Sequence, residues 1–208
     1  MDIIRNQIIE PDCYYHIYNR GINGGNIFFN TDNYHFFLNK FLKYLNSVCN
    51  VYSYCLMPNH FHFLVKIKSK DELEHFVNSE IKINDEIKNG LHSFESIFSK
   101  QTAKFLSSYT QALNKVSNRH GALLEWPFKR IKIDSEDYLK NLIIYIHQKP
   151  TSLDLDFRTY VFSSYKAIIS TNQTNIKRKE VIDLFNDLEN FKFIQQKELN
   201  FSEKFITL

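Results

Sequence analysis

Apolar side chains recur along the chain with two periods, and these divide it into strands and helices. The aromatic and β-branched segment "CYYHIYNRG" (13–21) predicts a strand that ends at Gly21. After Asp32, a candidate N-cap, the segment "YHFFLNKFLKYLNSV" has apolar residues every three or four positions, which predicts a helix. The runs "NVYSYCLM" and "HFHFLVKIK" are separated at Pro58 and Asn59, a dipeptide typical of turns, so we expect an antiparallel hairpin there.

The following segments give helix, strand and helix again. Residues 69–93 are charged and helical in character, and a long helix is predicted over 93–121, with Gly121 at its end. The segment "LLEWPFKRIKI" (123–133) predicts a strand with an irregularity at its proline. A further helix is predicted in "DSEDYLKNLIIYIHQKP", with Asp134 or Ser135 as its N-cap and its end before Pro150.

The order strand, helix, strand, strand, helix, strand is that of a ferredoxin-like β-α-β-β-α-β domain. We therefore expect an α+β protein with an antiparallel sheet, helices on one face, and an extra helix after the last strand. Residues 1–170 are expected to form the domain, and 171–208 a polar linker with a short C-terminal helical appendage in "EVIDLFNDLENF".

Composition adds limits rather than a function. The chain has 208 residues, of which 43% are hydrophobic, which is enough for a sizeable core. A formal charge of +3 gives no strong signal for a polyanionic partner, so any contact with DNA must come from local clusters of charge. Three cysteines without a CxxC pair, and an N-terminus unlike a signal peptide, predict a reduced, cytoplasmic protein. No apolar run reaches the roughly 20 residues of a membrane span.

Two histidines interrupt the second strand of the hairpin. His60 and His62 are two residues apart and so share one face of the strand, whereas Phe61 and Phe63 face the other way. Two imidazoles at this spacing can bind one divalent cation. The same pair also suits hydrogen-bonded or exposed histidines on an open sheet face, and the strand supplies no third ligand. The residues alone leave both interpretations open.

Three segments carry a resemblance to a known family: "YHIYNRG", "LMPNHFHFLV" and "YIHQKP", in this order and on elements of the expected type. From about residue 14 to residue 170 the chain resembles the single-tyrosine HUH transposases, in particular the REP-associated tyrosine transposases. The resemblance implies an enzyme that nicks and rejoins single-stranded, hairpin-containing DNA through a 5′-phosphotyrosine intermediate, with Mg²⁺ or Mn²⁺ as the metal. It implies His60 and His62 as metal ligands.

The nucleophile that the resemblance implies is Tyr145, the tyrosine of "YIHQKP". It lies near the end of the extra helix, from which a side chain can reach the sheet face that carries the histidines. The chain has 12 tyrosines, and Tyr145 among its isoleucine neighbours also suits a core position. Tyr138 and Tyr109 are the alternative nucleophiles.

The position one helical turn after the tyrosine departs from the family pattern. Relatives usually carry an asparagine or glutamine there, which can join the metal, but this chain has Lys149. An ammonium group has no lone pair for a metal. Gln148 is then the possible third ligand, with His147 as another candidate. The departure leaves two other functions open: a DNA hairpin-binding protein of the same fold with weakened catalysis, and a metal-dependent DNA hydrolase in which the tyrosine is a spectator.

Basic side chains gather near these segments and are expected to form a stripe along the open sheet that binds phosphates. The DNA-binding candidates are Arg20, Lys129, Arg130, Lys132 and Lys149, with Lys66 and Lys68 further along the histidine strand. The alternative is a solvated sheet with scattered charges. Tyr15 or Trp126 is expected to stack on unpaired bases. The protein is expected to act as a monomer or a homodimer, and the resemblance to the REP-associated branch favours the monomer.

Overall fold

The computed structural model describes residues 7–81 and 93–197, without the side chains of residues 80 and 81. The strands are β1 (Tyr14–Arg20), β2 (Cys49–Met57), β3 (His60–Ile67) and β4 (Lys129–Ile133). The helices are α1 (Thr31–Leu45), α2 (Lys70–Ile81), α3 (Phe94–Val116), α4 (Glu136–Gln148), α5 (Tyr165–Ile169), α6 (Arg178–Leu184) and α7 (Leu188–Ile194). Short 3₁₀ turns follow β1 at Ile22–Gly24 and α4 at Lys149–Leu153.

The four strands form one antiparallel sheet in the order β2-β3-β1-β4, which is the ferredoxin-like order. The predicted α+β fold is confirmed. The register between the central strands places Arg20 opposite His60 and Tyr18 opposite His62. On the other side of β1, Tyr18 lies opposite Lys129. Directly paired residues share a face, so these five side chains lie on the same side of the sheet.

One face of the sheet packs against α1 and α3. The alternation in β3 buries Phe61 and Phe63, which are 0% and 1% exposed, on this side. The Phe41 ring of α1 stacks on Phe63 with centroids 4.1 Å apart, and Phe37 lies 5.0 Å from Phe61. The two histidines of β3 are thereby directed to the opposite face, as the period of the strand predicts.

Helix α4 and the C-terminal helices cover the opposite face. Leu142 and Ile146 of α4 are fully buried in a second apolar cluster. Val181 of α6 and Phe191 of α7 are fully buried in the same cluster. The predicted boundary at residue 170 therefore falls within a continuous core. No helix within the described ranges is both long and apolar enough to cross a membrane.

Several boundaries differ from the sequence prediction for local reasons. The N-cap of α1 is Asn30, whose side chain accepts from the amide of Asn33, rather than Asp32. The single helix predicted near the C-terminus is two, because Asn186 has a left-handed φ of 72° and Asp187 caps α7. Strand β4 begins only at residue 129, after Pro127, which has no amide hydrogen for a ladder. The part of the helical prediction that falls on residues 82–92 lies outside the described residues.

Candidate active site

His60 and His62 lie side by side on the α4 face of β3. Their ring centroids are 5.2 Å apart and their planes are nearly perpendicular, at 88°. The Nε2 atom of each ring is buried and has no hydrogen-bond partner. Within the described ranges, no third histidine, cysteine or acidic side chain joins them in a metal-binding group. The pair therefore offers two nitrogen ligands and leaves any further ligands to come from elsewhere.

A third histidine, which the sequence analysis did not single out, holds His62 in place. His16 of β1 has its Nε2 atom 2.8 Å from Nδ1 of His62, and the two rings stack with centroids 5.1 Å apart. Burial, then the nearby charge of Lys149, lowers the pKa of His16 to about 3. Burial, then the neighbouring His16, holds the pKa of His62 well below its usual value. Both rings are therefore neutral near pH 7, as metal ligation requires.

Asn59 fixes the tautomer of His60. Its Nδ2 atom donates to the carbonyl oxygen of Gly24 at 3.2 Å, which directs Oδ1 toward Nδ1 of His60 at 2.7 Å. An amide oxygen only accepts, so Nδ1 of His60 carries the proton and Nε2 presents its lone pair. Burial, then the charges of Lys149 and Arg20, lowers the pKa of His60 to about 3. The sequence signal for this position is the dipeptide Pro58-Asn59, which predicts a turn but not a partner for His60.

Tyr145 extends from α4 over the histidines. Its ring centroid lies 5.6 Å from that of His62 and 6.3 Å from that of His16, edge to face in both cases. The side chain is 7% exposed, and burial raises the pKa of its phenol to about 12. Nζ of Lys149, one turn later, donates a hydrogen bond to Tyr145 Oη at 3.0 Å. The structure thus brings three predicted residues, His60, His62 and Tyr145, to one place, with Lys149 beside them.

The alternative tyrosines lie elsewhere. Tyr109 is part of the core between α1 and α3, where its hydroxyl donates to the carbonyl oxygen of Ile27 at 2.5 Å and its ring lies 4.9 Å from Phe37. Tyr138 is in the first turn of α4, about two helical turns before Tyr145. Tyr145 has ring contacts to both His16 and His62.

Gln148 and His147, the two other candidate metal ligands, contact other segments of the protein instead. Nε2 of Gln148 donates to the carbonyl oxygens of Gln195 and Lys197, at 2.8 and 2.9 Å. His147 is fully buried, with Nδ1 2.9 Å from Oε1 of Gln195 and Nε2 2.7 Å from Oγ of Ser164. The structure does not bring either side chain to the histidine pair. Both connect α4 to the segments that pack around it.

The predicted basic stripe is divided between the two faces of the sheet. Arg20 and Lys129 are on the histidine face, and both pair with Glu125, at 2.5 and 3.0 Å. Arg130 and Lys132 are on the α1–α3 face, because they lie opposite Ile17 and Tyr15. Arg130 pairs with Glu95, and Lys132 with Glu10 at 2.6 Å. The prediction of one continuous stripe is wrong, because successive β4 residues alternate between faces.

Of the two predicted stacking residues, one is accessible. Tyr15 is 0% exposed and donates its hydroxyl to the carbonyl oxygen of Ile8 at 2.8 Å, so the prediction that it stacks on bases is wrong. Trp126 is 88% exposed. The segment that carries it is tied to the end of β1, since the amide of Glu125 donates to the carbonyl oxygen of Arg20 at 2.9 Å. Trp126 is thus held near the end of the sheet where Arg20 lies opposite His60.

One comparison with known proteins supports this architecture. No family model matches the sequence, and no curated protein matches it. Among solved structures, the chain is similar to a REP-associated tyrosine transposase bound to a REP hairpin. The TM-score is 0.58 and the sequences are 13% identical, over 82% of this chain and 87% of the other. At this identity the similarity shows a shared fold, which is the fold that the motif resemblance implied.

Proposed function

We propose that the protein nicks and rejoins single-stranded, hairpin-containing DNA in the manner of a REP-associated tyrosine transposase. The observation that carries the proposal is the position of Tyr145, whose ring lies 5.6 Å from that of His62, beside two buried imidazole nitrogens without partners. A core tyrosine needs no such neighbours, whereas a nucleophile that attacks a phosphate near a metal does. The shared fold with a transposase in complex with a DNA hairpin supports the same substrate class.

The chemistry of the donors fits a divalent metal. His60 and His62 would hold Mg²⁺ or Mn²⁺ through their Nε2 atoms, since both rings are neutral and both Nδ1 atoms are occupied by Asn59 and His16. Imidazole nitrogen suits Mn²⁺ at least as well as Mg²⁺. When bound, the metal supplies positive charge to the scissile phosphate. Phosphate and water oxygens would complete its coordination.

The reaction is a transesterification. The Tyr145 hydroxyl loses its proton to solvent, and Oη forms a bond to phosphorus while the bond from phosphorus to the 3′ oxygen breaks. The 3′ oxygen takes the electron pair and a proton, which leaves a free 3′-OH and a 5′-phosphotyrosine. A second 3′-OH then reverses these steps and joins the DNA. A phenol with a pKa of about 12 is a weak nucleophile near pH 7. A positively charged group close to the phenol oxygen is therefore needed for the attack.

The surroundings of Tyr145 favour a flexible substrate. Tyr145 and His62 are 7% and 1% exposed, so the reacting phosphate has to approach side chains that are largely buried. A single strand bends into such a site at lower cost than a duplex, whose persistence length is about 150 base pairs. One chain supplies both histidines and the tyrosine, which supports action as a monomer.

The test is adduct formation on denaturing gels. Labelled single-stranded hairpins from the flanks of the gene are incubated with Mn²⁺ or Mg²⁺ and the wild type, Tyr145→Phe, His62→Ala or, as a matched control, Tyr138→Phe. We expect a denaturation-resistant adduct with the wild type and Tyr138→Phe, and none with the other two. An adduct with Tyr145→Phe would refute the assignment of Tyr145 as the nucleophile. Cleavage without an adduct would identify a hydrolase, and tight binding without cleavage a DNA-binding protein.

A further inference from the structure

The ammonium group of Lys149 has an unusual set of neighbours. It donates to Tyr145 Oη at 3.0 Å and lies 4.7 Å from the centroid of the same ring. No carboxylate in the described part of the chain pairs with it. Arg20 and Lys129, on the same side of the sheet, share Glu125 instead. A half-buried cation without a counter-charge is costly, and it attracts an anion.

The other groups near Lys149 provide no negative charge. Its partner Tyr145 has its ring 5.6 Å from that of His62 and 6.3 Å from that of His16, which places the ammonium group on the histidine side of the sheet. Burial raises the pKa of the Cys55 thiol, and the charge of Lys149 lowers it by less, so this thiol stays protonated. The ammonium group therefore brings to Tyr145 Oη a positive charge that none of these neighbouring groups neutralises. A phosphate has the matching charge.

We propose that Lys149 is a catalytic residue of the function proposed above, on which this inference rests. Its ammonium group has three hydrogens, of which one holds Tyr145 Oη and two remain for the scissile phosphate. Charge-assisted hydrogen bonds to the nonbridging oxygens neutralise the charge that grows on them as Oη approaches. The same contact keeps the nucleophile beside the phosphorus atom. Lys149 thereby supplies part of the positive charge that would otherwise come from the metal alone.

This role predicts competition between Lys149 and the metal. An ammonium group near two imidazoles repels a second cation and cannot act as a ligand, whereas an amide oxygen at the same position can. Lys149→Gln adds a ligand and removes the charge. Lys149→Met removes the charge and adds no ligand at a similar length, and Lys149→Arg keeps the charge. These variants separate charge from ligation.

The first measurement is Mn²⁺ affinity of the intact protein without DNA, by titration calorimetry. We expect Lys149→Gln to bind Mn²⁺ about tenfold more tightly than the wild type. Lys149→Met should lie between the two, and Lys149→Arg should match the wild type. Equal affinities for all four proteins would place Lys149 outside the metal site and overturn the inference. This result does not depend on whether the protein cuts DNA.

The second measurement is the rate of adduct formation on hairpin DNA at saturating Mn²⁺. Removing the charge should slow Lys149→Met by about 10²-fold, the effect of losing one donor to a developing oxyanion, with Lys149→Arg faster than Lys149→Met. Lys140→Met is the matched control, since Lys140 is a lysine of α4 whose ammonium group already pairs with Glu136, at 2.6 Å. Thermal unfolding of each variant checks the fold.

The outcomes separate the two proposals. A wild-type rate for Lys149→Met, with the wild type forming an adduct, would overturn the role of Lys149 alone. No adduct from the wild type with any hairpin would overturn the proposed function and the catalytic role of Lys149 together. Slow adduct formation by Lys149→Met and normal adduct formation by Lys140→Met would support both.

Discussion

The Nε2 atom of His16 lies 2.8 Å from the Nδ1 atom of His62, so strand β1 holds a candidate metal ligand of strand β3 by the nitrogen that faces away from the metal position. The arrangement depends on sheet register, because Tyr18 and not His16 is the direct partner of His62. The imidazole of His16 reaches diagonally across the strands. Such partners fix the ring orientation of a ligand and increase its basicity.

Loss of this partner should weaken metal binding. His16→Phe keeps an aromatic ring but no nitrogen for His62, and we expect the Mn²⁺ affinity to fall by about 10- to 100-fold. Titration calorimetry on the variant and the wild type gives the ratio. His75→Phe is the control, since His75 is an exposed residue of α2. Unchanged affinity in His16→Phe would show that His62 does not need this neighbour for ligation.

Asn59 should act on His60 in the same way. Asn59→Ala removes the acceptor that keeps the proton on Nδ1, and we expect about a tenfold loss of Mn²⁺ affinity. Asn59→Asp is the matched variant, because a carboxylate still accepts from Nδ1, and its affinity should equal or exceed that of the wild type. If the alanine and aspartate variants bind alike, the tautomer of His60 is not set by residue 59.

Local periodicity was sufficient to predict the fold and one half of the candidate site. The alternation in "HFHF" places Phe61 and Phe63 in the core and the two histidines opposite, because side-chain direction in a strand follows from the residue number alone. The order of elements then leaves few topologies. The position of Tyr145 needed the motif as well, since its isoleucine neighbours suit a core equally.

Contacts between segments that are distant along the chain could not be predicted from the sequence. His16 lies 46 residues from His62 along the chain, and its role requires the register of β1 against β3. The sequence predicts the C-terminal helices as an appendage, because their short amphipathic pattern does not show which surface they cover. The salt bridge between Arg130 and Glu95 depends on the packing of α3 beside β4. The sequence alone therefore does not show that Arg130 has an acidic partner.

The C-terminal helices should stabilise the domain that carries the site. Phe191 of α7 is fully buried, with its ring centroid 6.0 Å from that of His147 on α4. Phe191→Ala should lower the free energy of unfolding by about 3–5 kcal/mol, the usual range for a buried phenylalanine. Phe193→Ala, two residues later and 62% exposed, should change it by less than about 0.5 kcal/mol. Urea unfolding measures both, and equal effects would contradict the burial of Phe191 in the core.

Acid should destabilise the protein through its buried histidines. Burial, partly offset by the hydrogen bond to Gln195, lowers the pKa of His147 to about 4, against about 6.5 in the unfolded chain. Between these values the unfolded state binds the proton and the folded state does not. The stabilisation is therefore complete above pH 6.5 and falls as the pH decreases toward 4.

His147→Gln isolates this contribution. From pH 7.5 to pH 5.0, one such histidine accounts for a loss of about 2 kcal/mol in the free energy of unfolding, since 1.5 pH units below 6.5 are each worth about 1.4 kcal/mol. The variant should lose about 2 kcal/mol less than the wild type over this range, whatever its stability at pH 7.5. Urea unfolding in EDTA at both pH values is the measurement. Equal losses in the two proteins would mean that His147 is not held neutral by the fold.

Trp126 provides a direct optical test of DNA binding, because it is the only tryptophan of the chain and is 88% exposed. If it stacks on an unpaired base, single-stranded hairpin DNA should quench its fluorescence. Trp126→Ala should then weaken binding by about 1–3 kcal/mol, the range for one base stacked on an aromatic ring, and Trp126→Phe by less. Phe193→Ala, which removes an exposed ring on α7, is the control for affinity. If DNA binds without quenching, and if the wild type and Trp126→Ala bind it with equal affinity, then the DNA does not pass over this end of the sheet.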